Sequence, residues 1–189
     1  IVDEWGTWHQ VEPGTNPGFL YQQNAMLDAL AASATLDIFN RHADRVHGAN
    51  IAQLINVLQA VILTEGEKML KTPTWDVFKL YAGHQGAVNV PAVLSEGEAE
   101  AGVPKFSASA SVKDGKVLVT LSNLSCDAGE TVNLRLDGGR YHVVCAQMLS
   151  GGMAEHNTFD EPDRIRARAF EASAAYDAMG TEIAYYAPP

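Results

Sequence analysis

The chain has 189 residues, of which 47% are hydrophobic and 19% charged, and its formal net charge at pH 7 is −10. That length suits one ordinary domain or two small ones with real cores. No run of Lys or Arg occurs and the longest apolar run, Val57 to Leu63, is short, so we expect neither a nucleic-acid surface nor a membrane-bound one, and a neutral substrate.

The chain opens with an apolar, strand-like segment, IVDEWGTW, that has neither an initiator Met nor a basic leader. We therefore expect it to be a stretch of a longer protein. Glu4 would lie near the carboxyl end of a buried strand, where parallel α/β units gather their functional groups. Trp5 and Trp8 are flat apolar side chains that could stack on a sugar or a base. On residue types alone, a capping carboxylate beside two core tryptophans is the competing interpretation.

A long helix is predicted from about Phe19 to Ala43, because apolar residues recur there at helical spacing. The predicted buried stripe is Leu27, Leu30, Ala31, Ala34 and Ile38. A second short strand follows from Val46 to Leu54. Asn50 and Gln53 lie near its end, where an amide could either bind a ligand hydroxyl or satisfy the loop backbone.

A turn is predicted at Glu65-Gly66, and a short helix begins at Thr72-Pro73 and ends near Gly83, since proline is favoured in the first helical turn. The first 85 or so residues thus predict the order strand, helix, strand, helix. That order is typical of a parallel sheet with crossover helices.

The pattern changes in the second half of the chain. An acidic surface loop is predicted from Ser95 to Gly102, and residues alternate with a period of two from Phe106 onward. The pattern predicts a turn at residues 113–115 and further strands within 131–136 and 141–149, which is typical of an antiparallel sandwich. We place the domain boundary near residue 88.

The chain has two cysteines, Cys126 and Cys145, without metal-ligand or CxxC spacing. Free cysteines are usually buried, so we expect both to be apolar fillers in a reducing compartment. One disulfide between them is the alternative.

Four segments, spread in order along most of the chain, together match one known family. They are IVDEWGTWHQ, NAMLDALAASATLDIFNRHADRV, ANIAQLINVLQAVILTEGEKMLKTPTWDVFKLYAGHQG and MLSGGMAEHNTFDEPDRI. In these segments the chain resembles the α-L-arabinofuranosidases of glycoside hydrolase family 51.

The resemblance implies a fold in two parts. Residues 1–88 would be strands seven and eight, with their helices, of a (β/α)8 TIM barrel. Residues 89–189 would be a C-terminal antiparallel β-sandwich that lacks its final strand. Because a whole barrel takes about 250 residues, the other barrel units would lie upstream of Ile1, together with the family's acid/base carboxylate on strand four.

The resemblance also implies the site. Glu4 matches the catalytic nucleophile, Trp8 an aromatic side chain near the leaving group, and Gln53 an amide that hydrogen-bonds the arabinofuranosyl ring. A retaining glycosidase needs two carboxyl groups about 5–5.5 Å apart. Asp3 is not expected to be the second one, because neighbouring strand residues point to opposite faces.

The implied activity is the retaining hydrolysis of terminal α-L-arabinofuranosyl residues from arabinose-containing oligo- and polysaccharides. The complete enzyme would be cytoplasmic and homo-oligomeric and would use no cofactor or metal, whereas the 189-residue chain alone would be inactive. One alternative is another retaining glycosidase of the same barrel clan, a xylosidase or an endoglucanase, against which the Gln53 segment and residues 156–159 argue. Another is a non-catalytic carbohydrate-binding sandwich, against which the few aromatic residues between 106 and 160 argue.

Overall fold

The computed structural model of the chain describes residues 1–95 and 102–189. The predicted acidic loop from Ser95 to Gly102 lies almost entirely outside the described residues. The described part is mostly sheet, with few helices. In chain order its elements are β1 (Val2–Trp5), α1 (Met26–Arg41), β2 (Ala49–Ile51), β3 (Ile62–Glu65), β4 (Lys68–Lys71), α2 (Pro73–Tyr81), β5 (Val88–Val90), β6 (Phe106–Lys113), β7 (Lys116–Asn123), β8 (Glu130–Asp137), β9 (Gln147–Met148), β10 (Arg168–Ala169), β11 (Ala174–Tyr176) and β12 (Gly180–Ala187).

The strands β1 and β2 form a parallel pair, although β2 is shorter than predicted. Val2 lies opposite Ala49 and Trp5 opposite Ile51, so a longer step along β1 matches a shorter one along β2. This register shift locally interrupts the regular pairing of the two strands. The two carboxylates of β1, Asp3 and Glu4, are both exposed.

The helix α1 is shorter than predicted and buries a different face. It begins at Met26 rather than near Phe19. Of the predicted stripe, Leu30 packs against the core, but Leu27 and Ile38 are 47% and 46% exposed. Apolar periodicity indicated the wrong face because half of the buried positions are polar. The buried residues are Met26, Asp28, Ala29, Ala32, Ser33 and Asp37.

The second helix matches the prediction. α2 starts at Pro73 and ends at Tyr81, where one turn of 3-10 helix continues the chain to His84. The predicted turn at Glu65-Gly66 joins β3 to β4 in an antiparallel hairpin whose strands were not predicted. The main core lies between α1 and α2 and includes one residue from a distant loop. Its buried residues are Met26, Ala29, Ala32, Val77, Tyr81 and Ile165.

Antiparallel sheet dominates from Val88 onward, as the period-two alternation predicts. One sheet has the order β5-β6-β7 and another the order β11-β12-β8. Asp114 and Gly115 connect β6 to β7 with φ of 51° and 73°, as expected for a tight hairpin turn. The strand predicted within 141–149 is largely absent, since within it the structure has only the two-residue β9, which pairs with β10.

Both cysteines are exposed and unpaired, so the expectation that they are buried fillers is wrong. Cys126 lies in the loop between β7 and β8, and Cys145 precedes β9 in the region where the predicted strand does not form. Loops run over the surface of a protein because buried loops would leave backbone groups without partners.

A buried carboxylate joins α1 to the β5-β6-β7 sheet. Asp37 is 0% exposed, and it accepts hydrogen bonds from the hydroxyls of Ser107 and Ser109 at 2.6 Å each and of Tyr81 at 2.8 Å. Burial, followed by the charge of Asp37, raises the pKa of the Tyr81 hydroxyl. Tyr81 therefore keeps its proton and serves as a donor, which offsets part of the cost of burying the charge.

His84 makes a second contact with the same sheet. Its Nδ1 lies 2.8 Å from the hydroxyl of Ser111 on β6, and its Nε2 lies 3.0 Å from the hydroxyl of Thr120 on β7. The ring centroid is 5.5 Å from that of Tyr81. Burial lowers the pKa of His84, and the charge of Asp37 opposes that change. A neutral imidazole suits this position because one nitrogen can donate to a hydroxyl and the other can accept.

We expect His84 to make the stability of the protein depend on pH, through its contact with the β5-β6-β7 sheet. Its folded pKa lies below its unfolded value of about 6.5, so its contribution is complete above that pH and is lost as the pH falls through the folded pKa. The His84→Gln variant has no titratable group at this position. Its urea unfolding midpoint should therefore fall less between about pH 7.5 and 5 than the midpoint of the wild-type protein. Equal declines in the variant and the wild-type protein would contradict this account.

Candidate active site

The parallel pairing of β1 with β2 fixes where the predicted site residues lie. Where the two strands end, the Ala52 amide donates to the Trp5 carbonyl at 2.8 Å. Glu4, on β1, and Gln53, two residues beyond β2, therefore lie at the same, carboxyl-terminal end of the parallel pair, and both are exposed. The peptide bond between Ala52 and Gln53 is cis. This end of the pair exposes a carboxylate and an amide.

The two tryptophans have different environments. Trp8 follows the end of β1 and is 69% exposed. Trp5 packs against the main core, edge-on to the ring of Phe39 at 5.5 Å and stacked on that of Phe78 at 6.1 Å. Trp5 therefore anchors the end of β1, whereas Trp8 is available to a ligand.

Gly6 allows the chain to turn directly behind β1. Its φ is +145°, and a Cβ at this position would lie 3.1 Å from the side-chain oxygen of Gln59 and 3.4 Å from the carbonyl of Ala52. Residues with a side chain rarely adopt that φ. A glycine therefore lets the loop after β1 pass close to the loop after β2.

Gln59 links these two loops from within the protein. It is 0% exposed, and its Oε1 accepts from the Thr7 amide at 2.8 Å. Its Nε2 donates to the Asp28 carbonyl at 2.6 Å and lies 3.3 Å from the hydroxyl of Thr74. One amide side chain thus connects the loop after β1 with both helices.

The same loop contacts two further buried side chains. Gln22 accepts from the His9 amide at 2.9 Å, and its Nε2 donates to the Thr7 carbonyl at 3.3 Å. The carboxylate of Asp28 accepts from the hydroxyl of Thr7 and lies 3.2 Å from His9 Nε2. The backbone of residues 6–9 therefore has partners on both sides of Trp8.

A loop from the second half of the chain reaches the start of α1. The carbonyls of Met153 and Glu155 accept from the amides of Leu27 and Met26 at 3.0 and 2.9 Å. These amides have no partner within the helix. In this loop the Glu155 carboxylate accepts hydrogen bonds from Arg164 and from the Gly152 amide, and both lower its pKa.

The buried residue Asn157, in the same loop, contacts both halves of the chain. Its Nδ2 donates to the carbonyls of Lys71 and Ile165 at 2.9 and 3.0 Å, and its Oδ1 accepts from the Ile165 amide at 2.7 Å. Phe159 packs on a small core of residues around the β3–β4 hairpin. The HNTF segment, on which part of the family resemblance rests, is thus structural in these contacts.

Three buried polar residues of this region, Gln22, Asp28 and Gln59, were not predicted from the sequence. Gln59 had a signal, because it is the polar residue that interrupts the run from Val57 to Leu63. Asp28 had one too, because it is the third residue of α1, where acidic side chains cap helices, and it accepts from the Ala25 amide at 2.8 Å. Gln22 lies in a loop and carries no periodic signal.

Within residues 1–95 and 102–189, no three His, Cys, Asp or Glu side chains lie close enough together to hold a metal ion. The helices of the same residues are too short or too polar to cross a membrane.

Comparison with solved structures supports the fold. A GH51 arabinofuranosidase from Xanthomonas axonopodis pv. citri superposes with a TM-score of 0.85 and is 42% identical, over 100% of this chain and 38% of that protein. An α-L-arabinofuranosidase from Thermotoga maritima, determined with arabinose, superposes with a TM-score of 0.72 over 99% of this chain and 40% of that protein. Its identity is 21%, so it supports the fold alone.

Sequence comparisons agree with this result. An intracellular exo-α-L-arabinofuranosidase from Bacteroides ovatus is 39% identical over 90% of this chain and 34% of its own length. An exo-α-(1→6)-L-arabinofuranosidase from Bifidobacterium longum is 28% identical over 86% of this chain and 35% of its own. The chain thus spans about a third of these relatives. The sequence model of one protein family, the α-L-arabinofuranosidase C-terminal domain, matches residues 3–189. The chain belongs to this family and corresponds to the C-terminal portion of a GH51 arabinofuranosidase.

Proposed function

We propose that the chain is part of an enzyme that removes terminal, non-reducing α-L-arabinofuranosyl residues from oligo- and polysaccharides with retention of configuration. One observation carries the proposal: an exposed carboxylate, Glu4, near the end of β1 and an exposed amide, Gln53, just after β2 lie at the carboxyl-terminal end of two parallel neighbouring strands. Enzymes of this fold class place catalytic groups at that end of the strands. The identity of 42% to a GH51 arabinofuranosidase over the whole chain supports the substrate class.

In this proposal Glu4 is the nucleophile. Its carboxylate attacks the anomeric carbon while the bond to the leaving oxygen breaks, and that oxygen takes a proton from a second carboxyl group. Water then attacks the resulting glycosyl ester, assisted by the same second group, and the carboxylate of Glu4 is released. Two inversions at one carbon give net retention.

Trp8 and Gln53 bind the substrate in this proposal. The exposed ring of Trp8, 69% accessible, provides an apolar wall near the leaving group. Gln53 is exposed beside the end of β1 and can hydrogen-bond sugar hydroxyls through an oxygen and two N–H groups. Neither interaction requires a charge, which suits a neutral sugar.

We further propose that residues 1–88 are the last two βα units of a (β/α)8 barrel and that residues 89–189 form a C-terminal β-sandwich. The parallel pairing of β1 with β2 and the antiparallel sheets after Val88 support this division. The second carboxyl group would then come from a barrel strand outside these residues. We propose a cytoplasmic, homo-oligomeric, cofactor-free enzyme of L-arabinose metabolism, and the name of the Bacteroides relative supports its location.

Replacing the nucleophile tests the proposal directly. In the complete gene product, Glu4→Ala should lower kcat on an aryl α-L-arabinofuranoside by several orders of magnitude, because the covalent intermediate cannot form. Azide should restore turnover and give the glycosyl azide of inverted configuration, since it attacks from the vacated face. The products would be identified by NMR.

Asp3→Ala is the matched control, because Asp3 is the adjacent exposed carboxylate on the same strand. This variant should keep far more activity than Glu4→Ala and should not respond to azide. Wild-type-like turnover in Glu4→Ala would exclude Glu4 as the nucleophile, and azide rescue of Asp3→Ala would exchange the two roles.

Gln53→Ala should weaken transition-state binding by about 1–3 kcal/mol, the cost of a lost partner for a desolvated polar group. The measurement is kcat/KM on the same aryl substrate. Gln147→Ala is the control, because Gln147 is also an exposed glutamine but lies on β9, in another sheet. Equal kcat/KM values for the two variants would remove Gln53 from the site.

The 189-residue chain alone should not hydrolyse an aryl α-L-arabinofuranoside above background, because the proposed mechanism requires two carboxyl groups and Glu4 supplies one. It should also self-associate, since the two-stranded β1–β2 sheet leaves strand edges unpaired among the described residues. Chromogenic assay and light scattering measure these properties. A monodisperse monomer with turnover would place the second carboxyl group within these residues.

A further inference from the structure

We propose that Asp28 is a positioning residue for the proposed reaction, through the loop that joins Glu4 to Trp8. The inference rests on the proposed function, because it requires Glu4 and Trp8 to act on the substrate. Asp28 does not touch the substrate in this proposal. It fixes residues 6–9, the loop that follows β1 and contains Trp8.

The contacts of Asp28 bracket Trp8 on both sides. Its Oδ1 accepts a hydrogen bond from the hydroxyl of Thr7, the residue before Trp8. The same oxygen lies 3.2 Å from Nε2 of His9, the residue after Trp8. One carboxylate oxygen therefore contacts both neighbours of an aromatic residue that is itself 69% exposed.

Asp28 is well placed to act as a rigid support. It is 1% exposed and is the third residue of α1, where its Oδ2 accepts from the Ala25 amide at 2.8 Å. The positive end of the helix dipole favours a negative charge there. The carbonyls of Met153 and Glu155 bind the adjacent amides of α1, so this end of the helix is held from the other half of the chain as well.

Asp37 provides an internal comparison on the same helix. It too is a buried carboxylate without a lysine or arginine partner among the described residues, and it accepts three hydrogen bonds. Its donors are Tyr81 and two serines of β6, not residues of the loop after β1. Asp28 and Asp37 should therefore contribute alike to stability and differently to activity.

An asparagine at position 28 would keep the shape of the side chain but turn one acceptor into a donor. The groups around the carboxylate include the Ala25 amide and the Thr7 hydroxyl, which both donate to it. In Asp28→Asn the Ala25 amide loses its acceptor, or the new N–H group faces the Thr7 hydroxyl and His9 Nε2, which must then accept instead of donate. In both cases the charge that strengthens these hydrogen bonds is lost, so the Thr7–His9 loop, and Trp8 within it, should be held less firmly.

The test compares Asp28→Asn with Asp37→Asn in the complete gene product. Both variants should lower the melting temperature. On an aryl α-L-arabinofuranoside, assayed well below both melting temperatures, Asp28→Asn should lose about 10–100-fold in kcat/KM, mostly in kcat, the scale of misaligned reacting groups. Asp37→Asn should lose less than about threefold, because its hydrogen bonds lie outside the proposed site.

Thr7→Val supplies a second readout that a purely structural role would not change. It removes the hydroxyl that donates a hydrogen bond to Asp28 and leaves the carboxylate in place. It should reproduce much of the loss in kcat, and the double variant Thr7→Val/Asp28→Asn should lose clearly less than the product of the two single losses, because the Thr7–Asp28 hydrogen bond is shared while His9 and Ala25 contact Asp28 as well. If Asp28→Asn does not fold, Thr7→Val compared with Asp37→Asn tests the proposal.

Three outcomes separate this inference from the proposed function. If Glu4→Ala stays active, the proposed function fails. If Glu4→Ala is inactive while Asp28→Asn and Thr7→Val match Asp37→Asn in kcat, the proposed function stands and the positioning role of Asp28 is wrong. Fully additive losses in the double variant would also overturn the positioning role, because they would show that Thr7 and Asp28 act independently.

Discussion

A carboxylate that is buried away from water must be surrounded by hydrogen-bond donors, and α1 meets this requirement twice. Asp28 near its start and Asp37 near its end are 1% and 0% exposed. Neither has a lysine or arginine partner among the described residues, so hydroxyls, a backbone amide and a histidine surround them instead. Each carboxylate thereby fixes a different neighbour of the helix, the loop after β1 for Asp28 and the β5-β6-β7 sheet for Asp37.

Polar contacts join the two halves of the chain, in addition to the apolar cores that Ile165 and Phe159 enter. Asp37, Ser33 and Asn40 of α1 all hydrogen-bond to hydroxyls of β6 or β7. Farther along the chain, Asn157 donates hydrogen bonds to the carbonyl of Lys71 in the first half and to that of Ile165 in the second. Hydrogen bonds depend strongly on direction, so these contacts favour one arrangement of α1 relative to β6 and β7.

The loops at the carboxyl ends of β1 and β2 are supported in the same way. Gln59 is buried between them, and Gly6 removes the side chain that would collide with it. Aromatic packing of Trp5 holds the end of β1 itself. A site that must orient a neutral sugar by hydrogen bonds gains from such supports, because small displacements of the reacting groups are costly in rate.

The sequence by itself determined the order of β1, α1, β2 and α2, the antiparallel character of the second half, the family and the candidate residues Glu4, Trp8 and Gln53. Local signals suffice for these features, since periodicity, turn residues and motifs are properties of neighbouring positions. The tertiary structure decided which face of α1 is buried, where the register of β1 shifts, that both cysteines are exposed, and which polar residues support the site. The physical reason is that a buried polar side chain is stabilised by partners far away in the chain, such as Ser107 for Asp37 and Thr7 for Gln59.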